Sequence, residues 1–411
     1  MGKVLGIVGE YNPFHNGHLY HLEESKKMTS SNYTVAVISG NFTQRGSTAI
    51  IDKWSRAEMA IKNGVDLVVE LPVLYATSSA ENFADGAVKI LDSLKVVDYI
   101  SFGAETSDID VLDNFADILF KEPLKYRSFL IHELKKGISF PKARENALLM
   151  YLNGNRKYIN VLSSPNNILG IEYIKALKKH KSSIKPISIA RYETGYNDVT
   201  YSGNIASATA IRNIIKNGGF EALRKLLPNS SFNILINNIK QGHIVPDLSV
   251  FERQIIYNLR SMFPEEISEL AEVSEGLEHS LKNAANSCNT LDELLTNVKS
   301  KRYTSTRLQR ILLYSLLNIT KKDIDLSKKA SPYVRVLGLN KRGKFLISEI
   351  AKANPKLELI TSVKKFVDKS TNKNLKAMIE KDIWATDVYT LGYQYDSYSN
   401  LDFTKKILVV E

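Results

Sequence analysis

The sequence contains one cysteine, Cys288. A lone thiol cannot close an intramolecular disulfide, and it excludes a cysteine-rich zinc site. Long apolar runs are also lacking. The stretch from Val65 to Leu74 is interrupted by Asp66, Glu70 and Pro72, and none approaches the roughly 20 apolar residues of a membrane-spanning helix. The N-terminus runs straight into the strand-like segment 3–8 without an apolar stretch and small-residue cleavage site, so no signal peptide is expected. These absences predict a cytoplasmic protein with no membrane and no disulfide partner. Internal repeats and low-complexity linkers are missing as well.

What is present is an ordinary globular composition, 44% apolar and 24% charged over 411 residues, long enough for two or three domains. The charge is unevenly divided. Residues 1–110 carry 9 Lys and Arg against 14 Asp and Glu, while the rest carry 46 against 30. An acidic small-molecule enzyme core followed by a surface that meets a polyanion fits this split.

Residues 4–8, 34–39, 66–71 and 98–102 read as buried strands rich in β-branched side chains. Between them, 18–28, 55–63 and 80–94 carry apolar residues at helical spacing. This repetition predicts an α/β fold, a doubly wound, Rossmann-like parallel sheet with ligands beyond the carboxyl ends of its strands. Residues 108–182 read as mostly helical, 185–190 as one more strand, and 220–325 as helix-rich and basic. Pro332 marks a boundary before a strand at 333–338 and a helix at 343–353. The expected division is a catalytic domain at 1–220, a helical basic region at 221–330 and a small α/β region at 331–411.

The chemical signal is His15-Asn-Gly-His18, placed after the first strand and at a helix start. A helix N-terminus offers unpaired N–H groups and partial positive charge to an anion. Two imidazoles three residues apart lie on one side of the first turn, where both can donate to oxygens of a triphosphate. Gly17 has no Cβ, which predicts close approach by an adenine ring. No third ligand at a usual spacing accompanies the histidines, so no protein metal site is expected. Ile205-Ala-Ser-Ala-Thr-Ala-Ile-Arg212 opens a second helix, with Ser207, Thr209 and Arg212 suited to the β- and γ-phosphates. Arg45 and Lys53, after the second strand, are further candidate anion ligands.

The first motif resembles the signature of the His-x-Gly-His nucleotidylyltransferase superfamily. The segment 205–212 is similar to that superfamily's second motif, Ile-Ser-Ser-Thr-x-Ile-Arg, offset by one residue and with Ala208 where Ser is usual. Segments 6–18, 39–46, 52–54, 70–72, 102–105, 164–173 and 335–338, with Asn340, together resemble the tRNA(Met) cytidine acetate ligase family in order along nearly the whole chain.

That resemblance implies a nucleotidylyltransferase fold and an ATP site at Ile7, Val8, Gly9, Glu10, Tyr11, Asn12, Pro13, Phe14, His15, Asn16, Gly17, His18, Leu19 and Tyr20. It adds Gly103, one of Asn166 and Asn167, and Arg191. It implies that acetate attacks the α-phosphorus of ATP, with Mg²⁺, to give acetyl-adenylate. His15 and His18 would steady the phosphorus while Ser207, Thr209 and Arg212 hold pyrophosphate, making His15, His18, Thr209 and Arg212 the expected catalytic set. N4 of the wobble cytidine in the anticodon region of elongator tRNA(Met) would then take the acetyl group. Arg302, Tyr303, Arg307 and Arg310 form a basic stretch that could touch the tRNA. A small-molecule adenylyltransferase of the nicotinate-nucleotide or pantetheine-phosphate type stays open as an alternative, as does a nonenzymatic RNA-binding protein.

Overall fold

The computed structural model describes residues 1–106, 108–154, 158–190, 205–274 and 276–411. Strands β1 (Val4–Gly9), β2 (Tyr33–Ser39), β3 (Leu67–Leu71), β4 (Tyr99–Ala104) and β5 (Lys185–Ala190) are parallel, in the order β5-β4-β1-β2-β3. Both faces are covered, which is why they read as nearly continuous apolar runs. The two-residue period still divides them. Val35 and Val37 enter one apolar core, and Ala36 and Ile38 the other. Helices α1 (Asn16–Thr29) and α2 (Lys53–Lys62) cover the second face, and the helices Ala80–Ser93 and Pro165–Lys179 cover the first.

Asp66 and Asp98, expected as strand residues, stand just outside β3 and β4. Asp98 Oδ2 accepts the Val4 N–H at 2.7 Å, and Asp66 Oδ2 accepts the Thr34 N–H at 2.9 Å. Each carboxylate satisfies a backbone donor at the start of the neighbouring strand. From β3 the chain returns across β1 and β2 to enter β4 on the far side of β1. Winding reverses between β1 and β4, and a crevice opens beyond their carboxyl ends.

The sheet is not wholly parallel. Strand β6 (Tyr333–Leu339) pairs antiparallel with β3, and β7 (Glu358–Ile360) and β8 (Leu408–Val409) pair parallel with β6. Residues 331–411 thus extend the same sheet that carries β1. The register sets Arg335 opposite Glu70.

Around that pair lies a buried charge cluster. Lys53 Nζ reaches Glu70 Oε1 and Asp402 Oδ1, each at 2.8 Å, and Arg335 Nη1 reaches Glu70 Oε2 at 2.9 Å. Arg335 also pairs with Asp402. Lys53 is therefore a core cation, not the anion ligand its sequence position suggested. Asp382 adjoins the cluster, accepting the Val73 N–H at 2.7 Å and the Tyr333 hydroxyl. Burial, together with the charge of Glu70, pushes Asp382 up to about 7.

Two of the basic residues expected to face RNA are likewise engaged. Arg310, 7% exposed, donates to the Glu272 carboxylate at 3.0, 3.1 and 2.6 Å. Arg307 donates to the Glu272 carbonyl and to Ser274 Oγ. Both guanidiniums fasten the helix Ser305–Leu317 to the turn at 271–274. Among the described residues, no helix is long and apolar enough to cross a membrane.

Candidate active site

The crevice between β1 and β4 holds a cavity of ≈ 310 Å³. Its floor is the turn leaving β1. Tyr11 sits there at φ 48°, a left-handed backbone that bulky residues rarely adopt. Its buried ring is held edge-on by Phe14 at 4.8 Å and His18 at 5.0 Å. Burial pushes the Tyr11 hydroxyl up, so it keeps its proton. Asn12 ties the turn to the rest of the site. Its Oδ1 accepts the Ile50 N–H at 2.7 Å, and its carbonyl accepts from Arg212 Nη1 at 3.0 Å.

His15 and His18 cap their own helix. The Gly17 N–H donates to His15 Nδ1 at 3.0 Å, and the His15 N–H donates to His18 Nδ1 at 3.3 Å. This is a capping box in which imidazoles replace the usual hydroxyl and carboxylate. The consequence is chemical. A nitrogen that accepts a hydrogen bond carries no proton, so in each neutral ring the proton lies on Nε2. The rings stack with their centroids 3.8 Å apart, and both line the cavity.

Gly17 serves that arrangement. A Cβ there would stand 2.9 Å from His15 Cε1 and 3.1 Å from its Nδ1. The bare glycine makes room for the protein's own imidazole and also lines the cavity. The second motif forms the expected helix start. Ser207 Oγ accepts the Ala210 N–H at 3.1 Å, and Thr209 Oγ1 accepts from Arg212 Nη2 at 3.1 Å. Ser207, Thr209 and Arg212 line the same cavity as the histidines.

Ile7, Val8, Gly9, Glu10, Tyr20, Gly103 and Asn166 line it as well. Pro13, Phe14, Asn16, Leu19 and Asn167 do not. Phe14 is wholly inside the core, and Asn16 Nδ2 donates to the Lys225 carbonyl at 2.8 Å. Asn167 is buried with its Oδ1 on the Thr106 N–H at 3.1 Å. Glu105 separates the two asparagines. It takes the Asn166 amide at 2.6 Å and the Asn167 N–H at 3.0 Å, fixing the start of the helix Pro165–Lys179. Arg191 lies outside the described residues.

Several lining residues escaped the sequence reading. His21 stands one turn beyond His18, its Nε2 bonded to Ser101 Oγ at 2.9 Å; its i+3 spacing from His18 was the available signal. Phe83, Phe102, Leu169 and Tyr173 supply apolar wall, and Gln44 approaches from the loop after β2, next to Arg45, the candidate anion ligand of the sequence, which also lines the cavity. The Gln44 N–H donates to Glu10 Oε1 at 2.9 Å. Behind them lies Arg56, fully buried, donating to the carbonyls of Ile51 at 3.1 Å, Glu10 at 2.6 Å, Ser39 at 3.0 Å, and Gly40. One guanidinium thus joins the loops leaving β1 and β2. Among the described residues, no group of three or more His, Cys, Asp or Glu is placed to hold a metal ion.

A doubly wound sheet with a His-x-Gly-His helix start at its switch point defines a nucleotidyl transferase. Accordingly, the family model described as HIGH Nucleotidyl Transferase matches residues 2–403. The tRNA(Met) cytidine acetate ligase of Thermoanaerobacter sp. is 48% identical over 98% of this chain and 99% of its own. That of Acetivibrio thermocellus is 44% identical over 99% of this chain and 100% of its own. A crystal structure of Thermotoga maritima TmcAL without ligand superposes with a TM-score of 0.95 at 38% identity, covering 99% of both chains. A second, bound with alpha-thio ATP, gives 0.92 at 37% over the same shares. The chain belongs to the tRNA(Met) cytidine acetate ligase family.

Proposed function

We propose that this chain is an ATP-dependent ligase that joins acetate to N4 of the wobble cytidine of elongator tRNA(Met) in the cytoplasm. One observation carries the reading. The stacked imidazoles of His15 and His18 share a cavity with the hydroxyls and guanidinium of the second motif. In the first step an acetate oxygen attacks the α-phosphorus and the bond to the bridging oxygen breaks, giving acetyl-adenylate and pyrophosphate. Charge grows on the phosphoryl oxygens during this step, and donors already aimed there stabilise it without reorganising. Ser207, Thr209 and Arg212 receive the leaving pyrophosphate. Asn166 and Gly103, with the apolar wall, hold the nucleoside.

Mg²⁺ would ride on the triphosphate with Glu10 as the neighbouring carboxylate of the lining, supplying neutralisation of phosphate charge. In the second step the N4 amine attacks the acetyl carbonyl, AMP leaves, and N4 loses a proton. The amine must be unpaired, which favours an anticodon loop with splayed bases.

The test is isotope exchange between pyrophosphate and ATP, followed by nucleoside mass spectrometry of the tRNA. Exchange that requires acetate, with N4-acetylcytidine and AMP formed one for one, is the expected outcome. Exchange indifferent to acetate would favour a small-molecule adenylyltransferase, and no AMP at all would favour a binding protein.

Gly17→Ala is expected to slow that exchange about 10²-fold, because the new Cβ drives the His15 ring off the Gly17 N–H. Thermal unfolding should barely move. A variant as active as the parent would show that the ring's placement does not matter.

A further inference from the structure

A second cavity, of ≈ 420 Å³, lies close to the first and shares no lining residue with it. The wall between them is thin. Gln44 lines the first cavity and donates through Nε2 to the Ser78 carbonyl at 3.1 Å, while Ser78 lines the second. Phe83 faces the first cavity and Asn82 the second.

The chemistry of the second cavity is that of a polyanion site. Arg302, Arg307, Arg310, Lys321 and Lys328 line it against two carboxylates, Glu272 and Asp325. The Glu272 carboxylate is already matched by Arg310, so the balance stays positive. Hydroxyl and amide groups from Ser79, Asn82, Ser139 and Thr304 lie between the cations, and Phe140, 53% exposed, stands at the edge. Cations for phosphate, short polar side chains for ribose and an exposed ring for a base are the elements of single-stranded RNA recognition.

We propose that this second cavity binds a nucleotide of the RNA substrate close to the acetylated cytidine, its phosphate on Lys321, Lys328 and Arg302 and its base against Phe140. The proposal rests on the tRNA reading above and adds where the RNA is gripped.

Two variants of the full chain test it, Lys321→Ala/Lys328→Ala and Phe140→Ala, all at exposed positions. Acetate-dependent exchange without tRNA should stay within about twofold of the parent in both. For the double variant, the Kd for a tRNA transcript should rise about tenfold, and the slope of log Kd against log salt should fall by about 0.7 for each phosphate left without its lysine. For Phe140→Ala, Kd should rise about fivefold or more with the slope unchanged. If the parent acetylates tRNA and both variants keep its Kd and slope, the second cavity is not an RNA site. If exchange falls together with tRNA binding, the cavity serves adenylation and the proposal is wrong. If the parent neither binds nor acetylates tRNA, the tRNA reading itself fails first.

Discussion

His18→Ala is expected to lower acetate-dependent pyrophosphate exchange by about 10²–10³-fold, the cost of removing one preorganised donor from a developing oxyanion. The ring does two things that the substitution removes together. Its Nε2–H is one of the two imidazole donors, and its Nδ1 holds the His15 N–H at 3.3 Å. It also stacks beneath His15 at 3.8 Å, so the partner donor loses its support. His18→Asn separates these roles. A carboxamide oxygen can still accept the His15 N–H, but no donor then stands where Nε2 was. The asparagine variant should regain helix stability without regaining exchange. Recovery of exchange by asparagine would mean that His18 acts as a helix cap and not as a phosphate ligand.

Arg335→Ala is expected to destabilise the fold by about 3–5 kcal/mol, read as a lowered urea midpoint. The reason is the company Arg335 keeps. Removing it leaves Glu70 and Asp402 with Lys53 as their remaining cation, at a place where all three side chains are almost wholly excluded from water. Breaking one partner of a buried network leaves an uncompensated charge, which costs far more than a surface pair contributes. Asp382, already pushed up to about 7 by burial and by Glu70, would feel more negative charge. A loss below about 1 kcal/mol, the range of exposed pairs, would show that the cluster is reached by water.

The parallel half of the fold was legible because strands buried on both faces must be apolar along their whole length. Val35 to Ile38 say so directly. The histidine motif was legible because its residues are neighbours in sequence and act on neighbouring atoms. What stayed hidden depended on partners far along the chain. Lys53 and Arg310 look alike in sequence to cations that face solvent. Their carboxylates, Asp402 and Glu272, lie far away in the chain or on another element. Arg56 was invisible for a related reason, since carbonyls, which every residue carries, are its partners. Asn166 and Asn167 part company through Glu105, which binds one by its amide and the other by its backbone, and through Thr106, whose N–H holds the buried Asn167 side chain. Strand β6 was readable as a strand, but its antiparallel place beside β3, where Arg335 meets Glu70, was not.

That antiparallel strand bears on how the molecule is made. Translation proceeds at about 5–20 residues per second, so some tens of seconds separate the emergence of Glu70 from that of Arg335 and Asp402. Throughout that interval β3 is an unpaired edge and Lys53 and Glu70 wait without half their counter-charges. A nascent chain stalled before residue 333 would carry the histidine turn on an unfinished sheet, with the β3 backbone open to pairing by a strand of another molecule.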